Sequence, residues 1–540
     1  MKSLPLTRLL LPALLITTLS LQAEVKLSKV FTPHMVLQRE MAVPIWGTAT
    51  AGEKVEVKFR DQTKTATAGA DGKWSVKLDA LKVGGPDVLT IGDKAIDDVL
   101  VGDVWVGSGQ SNMDMTTSNY TAGDKGLVEI VAQSYPKIRL LKKEATAVWQ
   151  EATPANNAGF SAMLFSFGVP LQKELDVPVG LMVGAVGGTP SGYWLSQAMY
   201  DADPACKAAI EKFAKTYDYD AEMEKFKVLK AKYDADLAAW QPLADAAKKE
   251  GKPVPPGQPR LAPIPLHAGE PRGKIGNLFE AYVRPYVGYA IKGVLWDQGE
   301  SGTAITGCDQ YPLMGALIKG WRKDWGQGDF PFLYVQKPSG GGCAWDSKDP
   351  VTSQGSKIAA QPAVVPPAPS GDYTHPVYLR LMNYSNTIMV TSTDLGGGTH
   401  PTNKSGYGIR GARTALGAVY GQKQEYYGPL YASHQIVGDK VTIKFSHTGK
   451  GLAIKSGEKV EGAPTIGEKL QGFAIAGEDG KFVWGDAVIQ GDTVVVSSKD
   501  VPKPAVVTYA WSNSNNFPWA NLFNQDGLPA QPFRTDVTGK

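Results

Sequence analysis

Polar and apolar positions alternate in short runs over residues 24–98, and turn residues divide the runs. Val55-Glu56-Val57-Lys58-Phe59 is one such stretch, and Trp74-Ser75-Val76-Lys77-Leu78 is another, introduced by Asp71-Gly72. This period predicts strands with one buried face, here a small β-sandwich-like domain. The same style returns from about residue 428, in Val441-Thr442-Ile443-Lys444-Phe445, Gly480-Lys481-Phe482-Val483-Trp484 and Asp492-Thr493-Val494-Val495-Val496. A second β-sandwich-like domain is expected over 428–540.

The middle, 99–427, follows another rule. Val177-Pro178-Val179-Gly180-Leu181-Met182-Val183 and Gly293-Val294-Leu295-Trp296 are continuous apolar runs, as strands buried on both faces require. Amphipathic segments separate them, so this part is expected to be a parallel α/β domain. Within it, Phe213, Tyr217, Met223, Phe226, Leu229, Tyr233 and Leu237 recur at helical spacing in a lysine- and alanine-rich stretch. A proline-rich connector runs from Pro253 to Pro265. Residues 203–271 are expected to be an inserted helical hairpin whose charges form a solvated face.

Composition narrows the class. The chain has 540 residues, enough for three or four domains. Its 56 basic and 53 acidic side chains nearly cancel, which argues against a dedicated nucleic-acid binder or a polybasic membrane protein. Sixty glycines, 37 prolines and 13 tryptophans imply many turns and much flat aromatic surface.

At the amino end, Lys2 and Arg8 precede an apolar stretch, Leu9 to Leu21, broken by Pro12, with Ala23 as a cleavage position. Residues 1–23 fit an export signal, and no later run approaches the roughly 18 unbroken apolar residues of a membrane span. A periplasmic or secreted protein, free of the membrane once the signal is removed, is expected. Cys206, Cys308 and Cys343 allow at most one disulfide, for which Cys308 with Cys343 is the better pair, free buried thiols being the alternative. No pattern for a metal site is present.

The sharpest local signal is Val104-Trp105-Val106-Gly107-Ser108-Gly109-Gln110-Ser111-Asn112-Met113, an apolar strand running into a Gly-x-Ser turn. A nucleophilic serine needs such a turn to expose its oxygen beside free backbone N–H groups. The alternative is an ordinary helix cap by Ser111 or Asn112. The turns Gly184 to Pro190 and Trp296-Asp297-Gln298-Gly299-Glu300-Ser301 follow two more buried strands, at the strand ends where open α/β sheets bind ligands. Asp394-Leu395-Gly396-Gly397-Gly398-Thr399-His400-Pro401 follows the strand Ile388-Met389-Val390-Thr391. Of six histidines, His400 is the natural general base by elimination, although spacing leaves His375 open.

Taken in order, these blocks resemble the sialate O-acetylesterase family of SGNH-type carbohydrate esterases over nearly the whole chain. The carriers are Gly109-Gln110-Ser111-Asn112-Met113, Gly187-Gly188-Thr189, Trp296 through Ser301, and His400-Pro401 with Asn403-Lys404. Met35-Val36-Leu37-Gln38 and the Gly527 to Arg534 segment also match. The resemblance implies an SGNH-hydrolase-like parallel α/β domain with flanking all-β sandwich-like domains. It also implies a secreted enzyme that removes O-acetyl groups from sugars without a cofactor.

Ser111 would be the nucleophile and His400 the base. The oxyanion donors would be the N–H groups of Ser111 and of Gly187 or Gly188, with the amide of Gln298. The acid behind His400 is open: many SGNH hydrolases carry aspartate three residues before the histidine, where this chain has Gly397. Asp394 is the favoured substitute, with Asp297, Glu300, a backbone carbonyl or a plain Ser–His dyad as alternatives. Trp105, Trp296 and Glu300 are candidate substrate contacts, with Trp194 and Tyr311 also near the blocks. Tryptophans beside buried strands are more often core. Arg322, Arg410 and Arg413 are candidates for a sialic acid carboxylate. Sialic acids and acetylated plant polysaccharides such as acetylxylan are both open as substrates, as is a non-catalytic carbohydrate-binding protein. Oligomeric state is left undetermined.

Overall fold

The structure, a computed structural model, describes residues 25–144, 147–371, 373–457 and 469–537. The expected export signal lies outside the described residues. A mixed α/β body surrounds one large sheet, with further all-β sheets beside it. The spine is β1, Lys94–Gly109, sixteen residues long. Its first half pairs antiparallel with the strand Gly84–Ile91, and its second half enters the central sheet. One strand therefore runs through the 98/99 junction, and one continuous apolar core joins residues from Val25 to Tyr427.

The other central strands are β2 (Tyr135–Leu141), β3 (Gln150–Ala152), β4 (Val179–Ala185), β5 (Gly293–Asp297), β6 (Phe332–Val335) and β7 (Thr387–Val390). Their order is β3-β2-β4-β1-β5-β6-β7, parallel throughout except for β3 on β2. Every residue of β4, β5, β6 and β7 is buried, which is why these strands appear in the sequence as unbroken apolar runs. Helices α1 (Ser111–Asp114), α2 (Ala162–Leu175), α3 (Pro204–Ala214), α4 (Tyr219–Lys249), α5 (Gln310–Trp325) and α6 (Lys404–Ala418) complete the frame used below. The chain leaves β1 at the middle of the sheet, with β4 on one side and β5 on the other, and so opens a crevice at their carboxyl ends.

The expected hairpin consists of α3 and α4. Only Ala244 of α4 is buried, and pairs such as Lys230–Asp234 and Lys232–Asp236 bridge its solvated face. Residues 441–533 have a separate core built around Val441, Ile443, Phe473, Tyr509 and Phe533. No helix among the described residues is long and apolar enough to cross a membrane. All three cysteines are free and buried, the alternative left open beside a Cys308–Cys343 bond. Cys206 on α3, not Cys343, is the thiol beside Cys308, and Cys343 Sγ instead meets the Ala520 carbonyl at 3.4 Å.

Candidate active site

Three strand ends are tied together before any side chain acts. Gln110 N–H donates to the Asp297 carbonyl at 2.9 Å, Val186 N–H to the Gly109 carbonyl at 3.1 Å, and Ser108 Oγ to the Gly184 carbonyl at 2.6 Å. Gly109 makes this closeness possible. Its φ is +123°, and a Cβ there would lie 2.0 Å from the Asp297 carbonyl oxygen. The chain then turns directly into α1, with Ser111 as its first helical residue, where the backbone N–H has no intrahelical acceptor.

His400 Nε2 lies 2.8 Å from Ser111 Oγ. His400 is exposed and Ser111 half-buried, so the pair opens to solvent. The histidine loop is pinned on both sides. Asn112 Nδ2 donates to the Thr399 carbonyl at 3.0 Å, and Asn403 caps α6 while donating to the Leu395 and Val351 carbonyls. His375, the other histidine left open, is buried against Phe517 with neither ring nitrogen bonded, and burial pushes it down to about 3. It is far from the role of a base at neutral pH.

Asp394 does not meet His400. Both its oxygens hold Arg410, at 2.9 and 2.8 Å, in a fully buried bidentate pair. Gly396 and Gly398, with φ of +88° and +99°, swing the chain away from Asp394 before His400 is reached. Asp297 and Glu300 are likewise committed elsewhere, and no described side chain bonds Nδ1 of His400. The geometry is that of a Ser–His pair.

Gln298, expected as an oxyanion donor, spends both amide hydrogens on the Thr189 and Gly302 carbonyls and accepts from Gln310. It is a buried strut between two loops. Gly187 packs against Ser111: a Cβ there would lie 3.4 Å from Ser111 Cβ. Its N–H donates to Asp114 Oδ2 at 3.0 Å, and Asp114 is also paired with Lys143. Gly188 has φ of +72° and open space around it, and its N–H has no bonded acceptor among the described residues.

The tryptophans are core. Trp105 sits mid-strand with its Nε1 on the Tyr420 hydroxyl and its ring against Phe167. Trp296 is buried among Trp194, Trp321 and Phe332. Of the expected substrate contacts, Glu300 reaches the serine turn, through Gln110 and Asn112 on either side of Ser111, with 11% of its side chain exposed.

Beneath the serine turn lies a polar network that the sequence did not announce. Lys337, fully buried, meets Asp297 and Glu300, each at 2.8 Å. Glu300 also accepts from Gln110 Nε2 and from Asn112 Nδ2, so it fixes both neighbours of Ser111. Burial raises Asp297. It would raise Glu300 too, but Lys337 outweighs it and holds that carboxyl below its ordinary value. Lys404 Nζ donates to Asn112 Oδ1 at 2.8 Å and to the Pro401 carbonyl, and burial pushes it down to about 7.

That shift has a sign. Between about 7 and the unfolded value of 10.5, the unfolded chain holds a proton at Lys404 that the folded chain has lost. Stability therefore gains a contribution that grows as pH rises through this window. Chemical denaturation from pH 7 to pH 10 is expected to give a flatter profile for Lys404→Met than for the unmodified protein. Parallel profiles would contradict the shift.

This arrangement has the parts a serine-dependent acyl-transfer site requires: a hydroxyl on a tight strand-to-helix turn, an imidazole within hydrogen-bond reach, and free backbone donors beside them. Comparison with known proteins points the same way. The chain is 30% identical to sialate O-acetylesterase of Rattus norvegicus over 348 residues and 29% identical to that of Mus musculus. Each match covers 57% of this chain and spans 59% of the relative. The match to the human sialate O-acetylesterase is 26% over 492 residues, 81% of this chain and 80% of the relative. A carbohydrate acetylesterase from Xanthomonas citri has a solved structure that superposes with a TM-score of 0.67 at 26% identity, covering 95% of this chain and all of that one. No protein-family model matches the chain. The resemblance drawn from the sequence blocks holds: the chain is similar to sialate O-acetylesterases and to a carbohydrate acetylesterase of solved structure.

Proposed function

We propose that the protein is an exported carbohydrate O-acetylesterase with an SGNH-like catalytic domain, working through an acetyl-enzyme on Ser111. The observation that carries this reading is the 2.8 Å approach of His400 Nε2 to Ser111 Oγ at the carboxyl ends of β1, β4 and β5. The similarity to sialate O-acetylesterases and to the Xanthomonas carbohydrate acetylesterase supplies the class of bond. The amino-terminal charge and apolar pattern supports export.

Ser111 Oγ attacks the acetyl carbonyl carbon as His400 Nε2 takes its proton. The tetrahedral oxyanion is met by the N–H groups of Ser111 and Gly188, joined by Gly187 where Asp114 yields its bond. Each such donor contributes about 3–4 kcal/mol to the transition state. His400 then protonates the departing sugar hydroxyl, the acetyl group stays on Ser111, and His400 activates the water that releases acetate. Glu300 acts through Gln110 and Asn112 as a positioning residue.

Incubating the mature protein with acetylated carbohydrates and measuring free acetate tests the reading. Catalytic release is expected. A protein that binds such carbohydrates yet releases no acetate, even from 4-nitrophenyl acetate, would instead be a carbohydrate-binding protein.

A further inference from the structure

We infer that the sugar carrying the scissile acetyl group sits in an uncharged hollow beside His400, walled in part by the carboxyl-terminal β region, and that the protein selects neutral acetylated glycans over acidic ones. The inference rests on the esterase reading above and names its substrate class.

A cavity of about 390 Å³ adjoins the histidine loop, a size typical of small-molecule sites. Ser339, Tyr373, Thr399, Ser514, Asn515 and Asn516 line it, together with the glycine backbone that precedes His400. It borders the loop that carries His400: Gly397, Gly398 and Thr399 line it, and the Thr399 carbonyl accepts from Asn112, the residue after Ser111. Hydroxyl and amide groups both donate and accept, which suits sugar hydroxyls. Burial and the nearby Glu300 carboxylate keep the Tyr373 phenol protonated. No charged side chain lines the hollow among the described residues.

The far wall is fixed in place. Phe517 N–H donates to the Gly341 carbonyl at 2.6 Å. Gly341 has φ of +103°, and a Cβ there would lie 2.0 Å from the Asn515 carbonyl oxygen. The 514–516 loop is therefore seated directly on the loop that follows β6.

The arginines named as candidates for a sialic acid carboxylate, and the lysines around the serine turn, are already engaged. Arg322 donates to the Phe330, Ser385 and Asn386 carbonyls, Arg410 holds Asp394, and Arg413 donates to the Glu425 carbonyl. Lys143 is taken by Asp114 and the Ala185 carbonyl, Lys337 by Asp297 and Glu300, and Lys404 by Asn112 and Pro401. A carboxylate brought into the hollow loses water and meets hydroxyl and amide donors but no cationic side chain among the described lining residues.

Steady-state kinetics on four esters test this: 4-nitrophenyl acetate, an O-acetylated methyl xyloside, 9-O-acetylated N-acetylneuraminic acid, and the methyl ester of that sialic acid. The expected order places the xyloside above the free sialic acid in kcat/KM by about tenfold or more, the weight of one unpartnered charge. Methyl esterification is expected to recover most of the difference. Asn516→Arg is expected to shift the ratio toward the free sialic acid. A free sialic acid hydrolysed as well as the xyloside or better, or no gain on methyl esterification, would overturn the inference. So would hydrolysis of the aryl acetate alone. Failure on all four esters, the aryl acetate included, would instead remove the esterase reading.

Discussion

Ser111→Ala is expected to lower kcat for acetate release by about a millionfold, the scale on which serine enzymes lose turnover with their nucleophile. The loss is chemical. Ser111 Oγ has one bonded partner, His400 Nε2, so its removal leaves no buried donor or acceptor unsatisfied. Half-burial and a helical backbone suit alanine at this position, and folding stability is expected to change by no more than about 0.5 kcal/mol. What remains is the donor array and His400, which can still bind an ester but has nothing to which the acetyl group can pass. Acetate assays beside a thermal melt separate chemistry from folding. An unchanged rate in a folded variant would contradict the role given to Ser111.

Lys337→Met is expected to be the most destabilising single change near the site, at about 3–5 kcal/mol, because it strands buried charge. The ammonium is fully buried and is the common partner of Asp297 and Glu300. Among the described residues, neither Asp297 oxygen has another hydrogen-bond donor. Without Lys337 both carboxyls are driven upward by burial and by each other. A carboxyl whose folded value lies above its unfolded one costs stability at high pH and regains it as protonation sets in. The loss is therefore expected to be greatest at neutral and alkaline pH and to shrink as pH falls. Adding Asp297→Asn is expected to recover part of it. Urea titrations of the single and double variants at pH 5 and pH 8 measure this, and equal losses at both would contradict the account.

The two residues of the proposed chemistry were the easiest to find. Ser111 follows an apolar strand through a glycine pair, a local pattern with a direct backbone cause in Gly109. His400 stands out because the chain has few histidines and this one closes a glycine-rich turn after a strand. The supporting cast was harder to find for identifiable reasons. Asp394 looks close to His400 along the chain, yet two positive-φ glycines reverse the path, and its partner Arg410 lies a helix away. Gln298 and Trp296 fall at the end of β5 beside the serine turn, where the sequence offers both as site residues although one braces two loops and the other packs in the core. The expected register does not tell them apart, and hydrogen bonding to Thr189 and Gly302 does. Lys337 and Lys404 are single lysines among polar and turn residues, a pattern that ordinarily marks a surface. Only the fold reveals that carboxylates and an asparagine wait beneath the serine turn. The β-rich ends and the helical insertion were legible because each keeps a strict period over many residues, whereas the thiol contact of Cys206 with Cys308 depends on where α3 docks.

Covalent labelling tests the central claim most directly. The protein is treated with diisopropyl phosphorofluoridate, which phosphorylates activated serine hydroxyls, while residual acetate release is followed and the modified peptide is located by mass spectrometry. The account predicts a single label on Ser111, with activity falling in step with its incorporation. A label on another residue accompanying the loss, or full activity in protein fully labelled at Ser111, would contradict it.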